Sequence, residues 1–315
     1  MHTRIRIMCS VIVLLTLLTS AGLYGAEIVG TVRLEVKSTV DGSSQPSDFV
    51  PAEGTEPRPM LVFLHSWSNG LDVFDYAPWP ELCKKRNWHL LMPDFRGAND
   101  NPQACGSKAA RQDVLDAVDA VCKKYPVDEQ RIYLAGTSGG GHMAMVMAAE
   151  APERWRAVSA WVGISDLAAW HAESKAANRK YWKGIEGIVG GAPGSSPAVD
   201  RELHYRSPVH HIASAKDLAL DLNAGVNDGY TGSVPIHHTL DVFNVIAKAR
   251  GVQGIGPEAM RQLSERQLEA FADTEETVCD RKIYLRRHVG PCRVTIFEGG
   301  HEQLPEAAMA WFDEH

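Results

Sequence analysis

The hydrophobic positions of this chain fall into short, dense runs, separated by longer stretches in which apolar residues recur every three or four positions. The runs cover residues 60–64, 88–92, 131–135, 157–162, 218–222 and 293–297, and several end at a glycine or at polar residues. Apolar runs of this kind suit strands buried on both faces. Residues 109–122 instead place Val114, Ala117, Val118 and Val121 at helical spacing, and 142–150 reads as a second helix. Strands alternating with helices predict an α/β fold with a mostly parallel sheet, helices on both faces and right-handed crossovers. Upstream, 28–36 and 44–50, joined through Asp41-Gly42, predict an antiparallel hairpin at the sheet edge.

The first residues follow a different plan. Arg4 and Arg6 precede an apolar run over 7–18, and Ser20, Ala21, Gly22, Gly25 and Ala26 follow it. This is the layout of a secretory signal peptide, here 1–26, leaving 27–315 as one catalytic domain destined to be secreted or periplasmic. The run is shorter than the roughly 20 residues that cross a bilayer, so no stable membrane span is expected after its removal. Composition adds limits. With 44% hydrophobic and 23% charged residues in 315, the chain is globular rather than disordered or fibrous. Its net charge of -7, and the lack of a basic run interleaved with aromatics, exclude nucleic acid as the main partner. Export would let cysteines pair, yet Cys83, Cys105, Cys122, Cys279 and Cys292 are an odd number. A Cys279 to Cys292 bridge and buried free thiols both remain open. No metal, nucleotide or haem motif occurs, so no cofactor is expected.

The chemistry-bearing motif is Gly136-Thr137-Ser138-Gly139-Gly140, placed after the strand 131–135 and before the helix 142–150. Gly-x-Ser-x-Gly in a strand-turn-helix context is a nucleophile elbow: a strained turn presents the serine at a helix N-terminus, and larger neighbours would collide. A serine hydroxyl needs a base to take its proton and an acid to orient that base. His301 follows the last strand through Gly299-Gly300, where such a base belongs. Asp228 lies just beyond the strand 218–222, with Asp166, after the strand ending at Val162, as its rival; Asp221 falls inside its strand. His142 reads as a packing or pocket residue, and the pairs His210-His211 and His237-His238 as solvated. The second oxyanion donor, beside Gly139, is expected from Ser66 or Trp67 in the loop after the strand 60–64.

These stations, with Pro93-Asp94-Phe95-Arg96-Gly97, Arg206-Ser207-Pro208-Val209 and Val234-Pro235, resemble the α/β-hydrolase superfamily. Within it they resemble the branch of prolyl oligopeptidase catalytic domains and secreted carbohydrate esterases. The resemblance implies an α/β-hydrolase fold with a Ser138, Asp228 and His301 triad and an oxyanion hole from Gly139 with Ser66 or Trp67. Two departures stand out: Ser66 occupies a usual glycine position, and the 73-residue spacing from Asp228 to His301 is long. Two stretches, 167–207 and 251–291, exceed the family core and leave the sheet near its active edge. They carry Trp170, Tyr181 and Trp182 in the first and Arg286 in the second. Trp170, Trp182 and Arg286 are therefore candidates for substrate contact, against a plain packing or solvated role. The short stretch 27–59 leaves no room for an N-terminal propeller, which favours ester over peptide. The expected reaction is hydrolysis of acyl or aromatic esters, on a small molecule or a polysaccharide, by an acyl-enzyme route; peptidase action on short peptides is the alternative.

Overall fold

Ten strands form one sheet in the computed structural model, which describes residues 30–71, 78–271 and 275–315. Residues 1–26, expected to form a signal peptide, lie outside the described residues. The strands are β1 (Val32–Lys37), β2 (Ser44–Val50), β3 (Arg58–Leu64), β4 (His89–Pro93), β5 (Val127–Thr137), β6 (Ala157–Trp161), β7 (Ala219–Gly225), β8 (Thr277–Val278), β9 (Arg281–Val289) and β10 (Cys292–Phe297). Their order is β1-β2-β4-β3-β5-β6-β7-β10-β9-β8. The six central strands, β4 to β10 in that order, run parallel, and antiparallel pairs flank them on both sides. Each of the six apolar runs is thus a central strand, and β1 with β2 is the expected edge hairpin. Every residue of β4, β6 and β7 is buried, and because neighbouring side chains alternate between faces, both faces of the sheet must be covered.

The helices among the described residues are α1 (Trp79–Arg86), α2 (Lys108–Lys124), α3 (Gly139–Glu150), α4 (Leu167–Ala176), α5 (Tyr181–Val189), α6 (Pro197–Arg206), α7 (His237–Ala249), α8 (Pro257–Ser264) and α9 (Pro305–Asp313), of which α1, α2, α3, α7 and α9 pack directly on the strands. Helix α2 starts at Ser107, whose side chain accepts from Ala110 N–H and satisfies one of the unpaired donors of the first turn. Its buried face includes Val114, Ala117, Val118 and Val121, as their spacing predicts. No helix among the described residues is long and apolar enough to cross a membrane.

The two long stretches fold differently from each other. The first supplies α4, α5 and α6, and it builds a second, smaller apolar cluster in which Leu167, Trp170, Ile185 and Leu203 pack with Trp67 and Val234. The second does not lie over the site. It forms α8 and the β8–β9 hairpin, and β9 pairs antiparallel with β10 to widen the sheet. Ile283, Leu285 and Val289 are buried, while Arg281, Lys282 and Arg286 are half-buried and Arg287 and His288 are exposed. Arg286, expected to meet substrate, is instead held by Glu276 and by Thr295 Oγ1.

All five cysteines in the described residues are free thiols. Cys279 and Cys292 flank the nine-residue β9. A strand of that length separates its ends by roughly 30 Å, whereas a disulfide needs Cα atoms about 4.4 to 6.8 Å apart. The bridge is therefore sterically unavailable. Cys83, Cys105 and Cys292 are buried, and burial pushes the first two thiols up to about 12.

Candidate active site

Strands β3, β5, β7 and β10 run the same way, so the residues following them gather on one edge of the sheet: His65 to Trp67, Ser138, Asp228 and His301. At the end of β5 the chain turns through Ser138, whose φ of 58° and ψ of -116° lie outside the ordinary regions for a residue with a side chain. Ser138 N–H donates to Trp161 O at 2.9 Å, tying the turn to β6. A Cβ on Gly136 would lie 2.2 Å from Gly140 O, and one on Gly140 would lie 2.0 Å from Leu64 O, so neither position tolerates a side chain. The strain at Ser138 is held by these close backbone contacts.

The serine hydroxyl meets His301 Nε2 at 2.8 Å, and His301 Nδ1 meets Asp228 Oδ2 at 2.7 Å. The other Asp228 oxygen accepts from Gly229 N–H at 2.9 Å and Val234 N–H at 3.1 Å. Three donors surround a carboxylate with a fully buried side chain, which fixes both its position and which oxygen faces the ring. The rival Asp166 is placed elsewhere: it caps α4, accepting from Ala168 and Ala169 N–H. Asp221 is buried within β7, bonded to Ser159, Asn223 and Arg293.

The second loop also approaches. A Cβ on Gly139 would lie 2.5 Å from both the Cα and the N of Trp67, so the two backbones touch only because residue 139 is glycine. Gly139 opens α3, and its N–H is among the first four of a helix, which have no acceptor within it. The adjacent amides of Trp67 and Gly139 form the kind of donor pair an oxyanion needs. The loop is braced by His65, which stacks on Phe95 at 4.0 Å and donates from Nε2 to Asp94 O at 2.8 Å. Asn69 Nδ2–H donates to the Ser66 hydroxyl oxygen at 3.0 Å, stabilising the turn.

An open recess of about 490 Å³ adjoins His301, lined also by Arg179, Lys180, Tyr181, Thr231 and Ser233. Neither tryptophan proposed for substrate contact lines it. Trp170 is only 1% exposed, wedged between Trp67 and Tyr181 with its Nε1–H on Ser233 O at 2.8 Å. Trp182 is half-buried against His171, with Lys175 and Lys183 over its ring. The first long stretch thus acts on the site through Arg179, Lys180 and Tyr181, residues whose role depends on a turn brought near them from 50 positions away. The second reaches the site's edge through Arg281, which pairs with Glu302 beside His301.

The turn carrying Asp228 is tethered to this insertion at several points. Besides the Trp170 bond, Arg179 donates to Gly232 O, and Glu173 of α4 faces both His237 and His238 at the start of α7, at 2.5 and 3.1 Å. His237 also meets Asp241 at 2.8 Å. Burial opposes charge on His237, but the carboxylates of Asp241 and Glu173 outweigh it and raise its pKa to about 9. Burial likewise opposes charge on Glu173, and the two histidines reverse this, lowering it to about 2. His237 and His238 are therefore not a solvated pair. Glu173, His237 and His238 bring three ligand-type atoms within 4.8 Å of one another. However, Ser165 and Asp166 N–H point at His238 Nδ1, which places its proton on Nε2, facing Glu173. The arrangement is that of an ion-pair clasp rather than of a metal cage. His142 is a packing residue, fully buried, with Nδ1–H on Ile164 O, and burial lowers its pKa to about 4.

Residues 86–253 match the family model described as the prolyl oligopeptidase family, a span that includes Ser138 and Asp228. The chain belongs to the prolyl oligopeptidase family. It has the α/β-hydrolase fold, and His301, beyond the matched span, is placed by the sheet itself. Acylamino-acid-releasing enzyme 2 of Oryza sativa subsp. japonica is 24% identical over 205 residues, covering 59% of this chain and 26% of that protein. Feruloyl esterase B of Neurospora crassa is 29% identical over 125 residues, covering 37% of this chain and 43% of its own length. The Pyrococcus horikoshii acylaminoacyl peptidase has the same fold, with a TM-score of 0.57 at 20% identity over 79% of this chain and 43% of the other. The chain thus spans less than half the length of each of these proteins.

Proposed function

We propose that this family member is an exported esterase that cleaves acyl or aromatic esters, on a small molecule or a polysaccharide. The observation that carries the reading is the continuous hydrogen-bond chain from Ser138 through His301 to Asp228. Ser138 Oγ attacks the ester carbonyl as His301 Nε2 takes its proton, and Asp228 steadies the imidazolium. Negative charge on the carbonyl oxygen falls between Trp67 and Gly139 N–H, each such donor being worth about 3 to 4 kcal/mol in related chemistry. His301 then returns the proton to the departing alcohol. It next activates water, which attacks the acyl-Ser138 carbonyl and releases the acid.

Preference for an ester is supported by the likeness to feruloyl esterase B and by the open recess next to His301. Peptidase action is the second reading, favoured by the acylamino-acid-releasing relatives. Export rests on the charge and apolar pattern of residues 1–26. Purified protein and Ser138→Ala, assayed on short and long p-nitrophenyl esters, feruloyl esters, acetylated xylan and peptide anilides, separate the readings. Turnover of esters, lost in Ser138→Ala, is expected; turnover confined to anilides would overturn the esterase reading. Cell fractionation tests export.

A further inference from the structure

We propose that the recess beside His301 is a subsite for a negatively charged leaving group, with Arg179 and Lys180 as its cations. The inference rests on the esterase reading and names its substrate class: an ester whose alcohol portion carries a carboxylate, as in an acylated acidic sugar.

The side of the site follows from the proton's path. His301 gives its proton to the leaving oxygen, so groups beside its ring face the leaving alcohol, whereas the acyl oxygen points to Trp67 and Gly139. The recess therefore holds the alcohol. Its sign follows from its lining. Among the described residues two cations and no carboxylate line it, with Tyr181, Thr231 and Ser233 as uncharged neighbours. Arg179 directs donors at the carbonyls of Gly232 and Gly229, which orient the guanidinium without neutralising it, and a guanidinium has five N–H groups to offer. Lys180 is exposed at the rim. Asp228 lies behind His301 and is already bonded to three donors. Even if that charge offsets one cation, one remains uncompensated. A carboxylate entering the recess would thus gain a charge-assisted hydrogen bond and favourable steering.

The test uses 4-acetoxybenzoate and its methyl ester, which share an acetyl group and a phenolic leaving frame and differ in charge. Wild type is expected to favour the anion in kcat/KM relative to Lys180→Met, the ratio falling roughly two- to five-fold in that variant. Arg179→Gln should lower the same ratio. Salt near 1 M, where the screening length is about 3 Å, should largely erase the preference. A ratio unmoved by Lys180→Met and by salt overturns the subsite, while hydrolysis of the neutral methyl ester still upholds the esterase reading. A mono-4-nitrophenyl glutarate, anionic on the acyl side, should gain nothing over p-nitrophenyl acetate; a gain there overturns the leaving-group assignment. If neither acetoxy ester is cleaved, the esterase reading falls and N-acetyl-dialanine is compared with its amide. A Lys180-dependent preference for the acid then supports the subsite for a peptide, and no preference overturns it.

Discussion

Replacing Asp228 by Asn tests the site's logic without removing an atom of bulk. Asp228 Oδ1 accepts two backbone N–H groups, from Gly229 and Val234. In the variant the amide oxygen must keep that position, because an amide nitrogen there would strand two buried donors at a cost of about 1 to 3 kcal/mol each. The NH2 group is then forced toward His301 Nδ1, 2.7 Å away in the native arrangement. A donor at that point compels Nδ1 to accept, so the ring proton moves to Nε2, the atom facing Ser138 Oγ at 2.8 Å. The base has lost its lone pair. Where this tautomer is imposed on a comparable triad, kcat falls about 10⁴-fold, equivalent to roughly 5 kcal/mol of barrier. Folding stability should change by no more than about 1 kcal/mol, since the packing and backbone bonds survive. The assay pairs kcat on p-nitrophenyl acetate with a urea unfolding curve. Asp166→Ala serves as the control: losing its cap on α4 costs about 1 kcal/mol of stability and leaves kcat near wild type. Asp228→Asn activity within tenfold of wild type, or collapse of activity in Asp166→Ala instead, would refute the assignment of the acid.

Three further outcomes follow from the geometry. A Cβ at Gly232 would stand 2.2 Å from Asp228 Oδ1 and 2.4 Å from His301 Cβ, so Gly232→Ala should displace the acid and lower kcat by about 10²-fold or more while the protein still folds; unchanged kinetics would mean that the turn adapts freely. The folded pKa of His237, about 9 against an ordinary 6.5, makes its stabilising charge complete below 6.5 and lost as pH rises through 9. The wild-type advantage over His237→Gln in thermal midpoint should therefore be largest near about pH 6 and shrink by about pH 10, and a flat difference would remove the clasp. Thiol titration of native protein should label exposed Cys279 first, half-buried Cys122 slowly, and Cys83, Cys105 and Cys292 only on unfolding; mass spectrometry showing a Cys279 to Cys292 bridge would contradict the fold of β9.

The parts legible in the sequence are those whose residue types are dictated locally. A strand buried on both faces must be apolar throughout, so β3 to β7 and β10 announce themselves. The glycines at 136 and 140 are demanded by contacts of 2.2 Å and less, and the position of His301 follows from the end of β10. Strand β9 was concealed because only Ile283, Leu285 and Val289 are buried along it, and basic residues fill 281–282 and 286–288 around them. Trp170 shows the converse. An aromatic in an insertion looks available to substrate, yet the insertion has its own apolar cluster to fill, and Trp170 goes there. The clasp of Glu173 with His237 and His238 joins residues more than 60 positions apart, and no local pattern marks such a pairing.

The tethering of the Asp228 turn has a consequence for how this protein could have diversified. Trp170, Glu173 and Arg179 belong to the insertion between β6 and β7, yet each grips the segment running from Gly232 to His238. The insertion and the acid-bearing turn are therefore one unit of exchange, although they are separate in the chain. A chimera that imported only another enzyme's helices over residues 167–206 would inherit a new substrate wall and at the same time lose the props beneath its own acid. A recombinant that moved 167–206 together with 229–238 would keep the two in register. Specificity and catalytic competence in this chain can drift only as a pair.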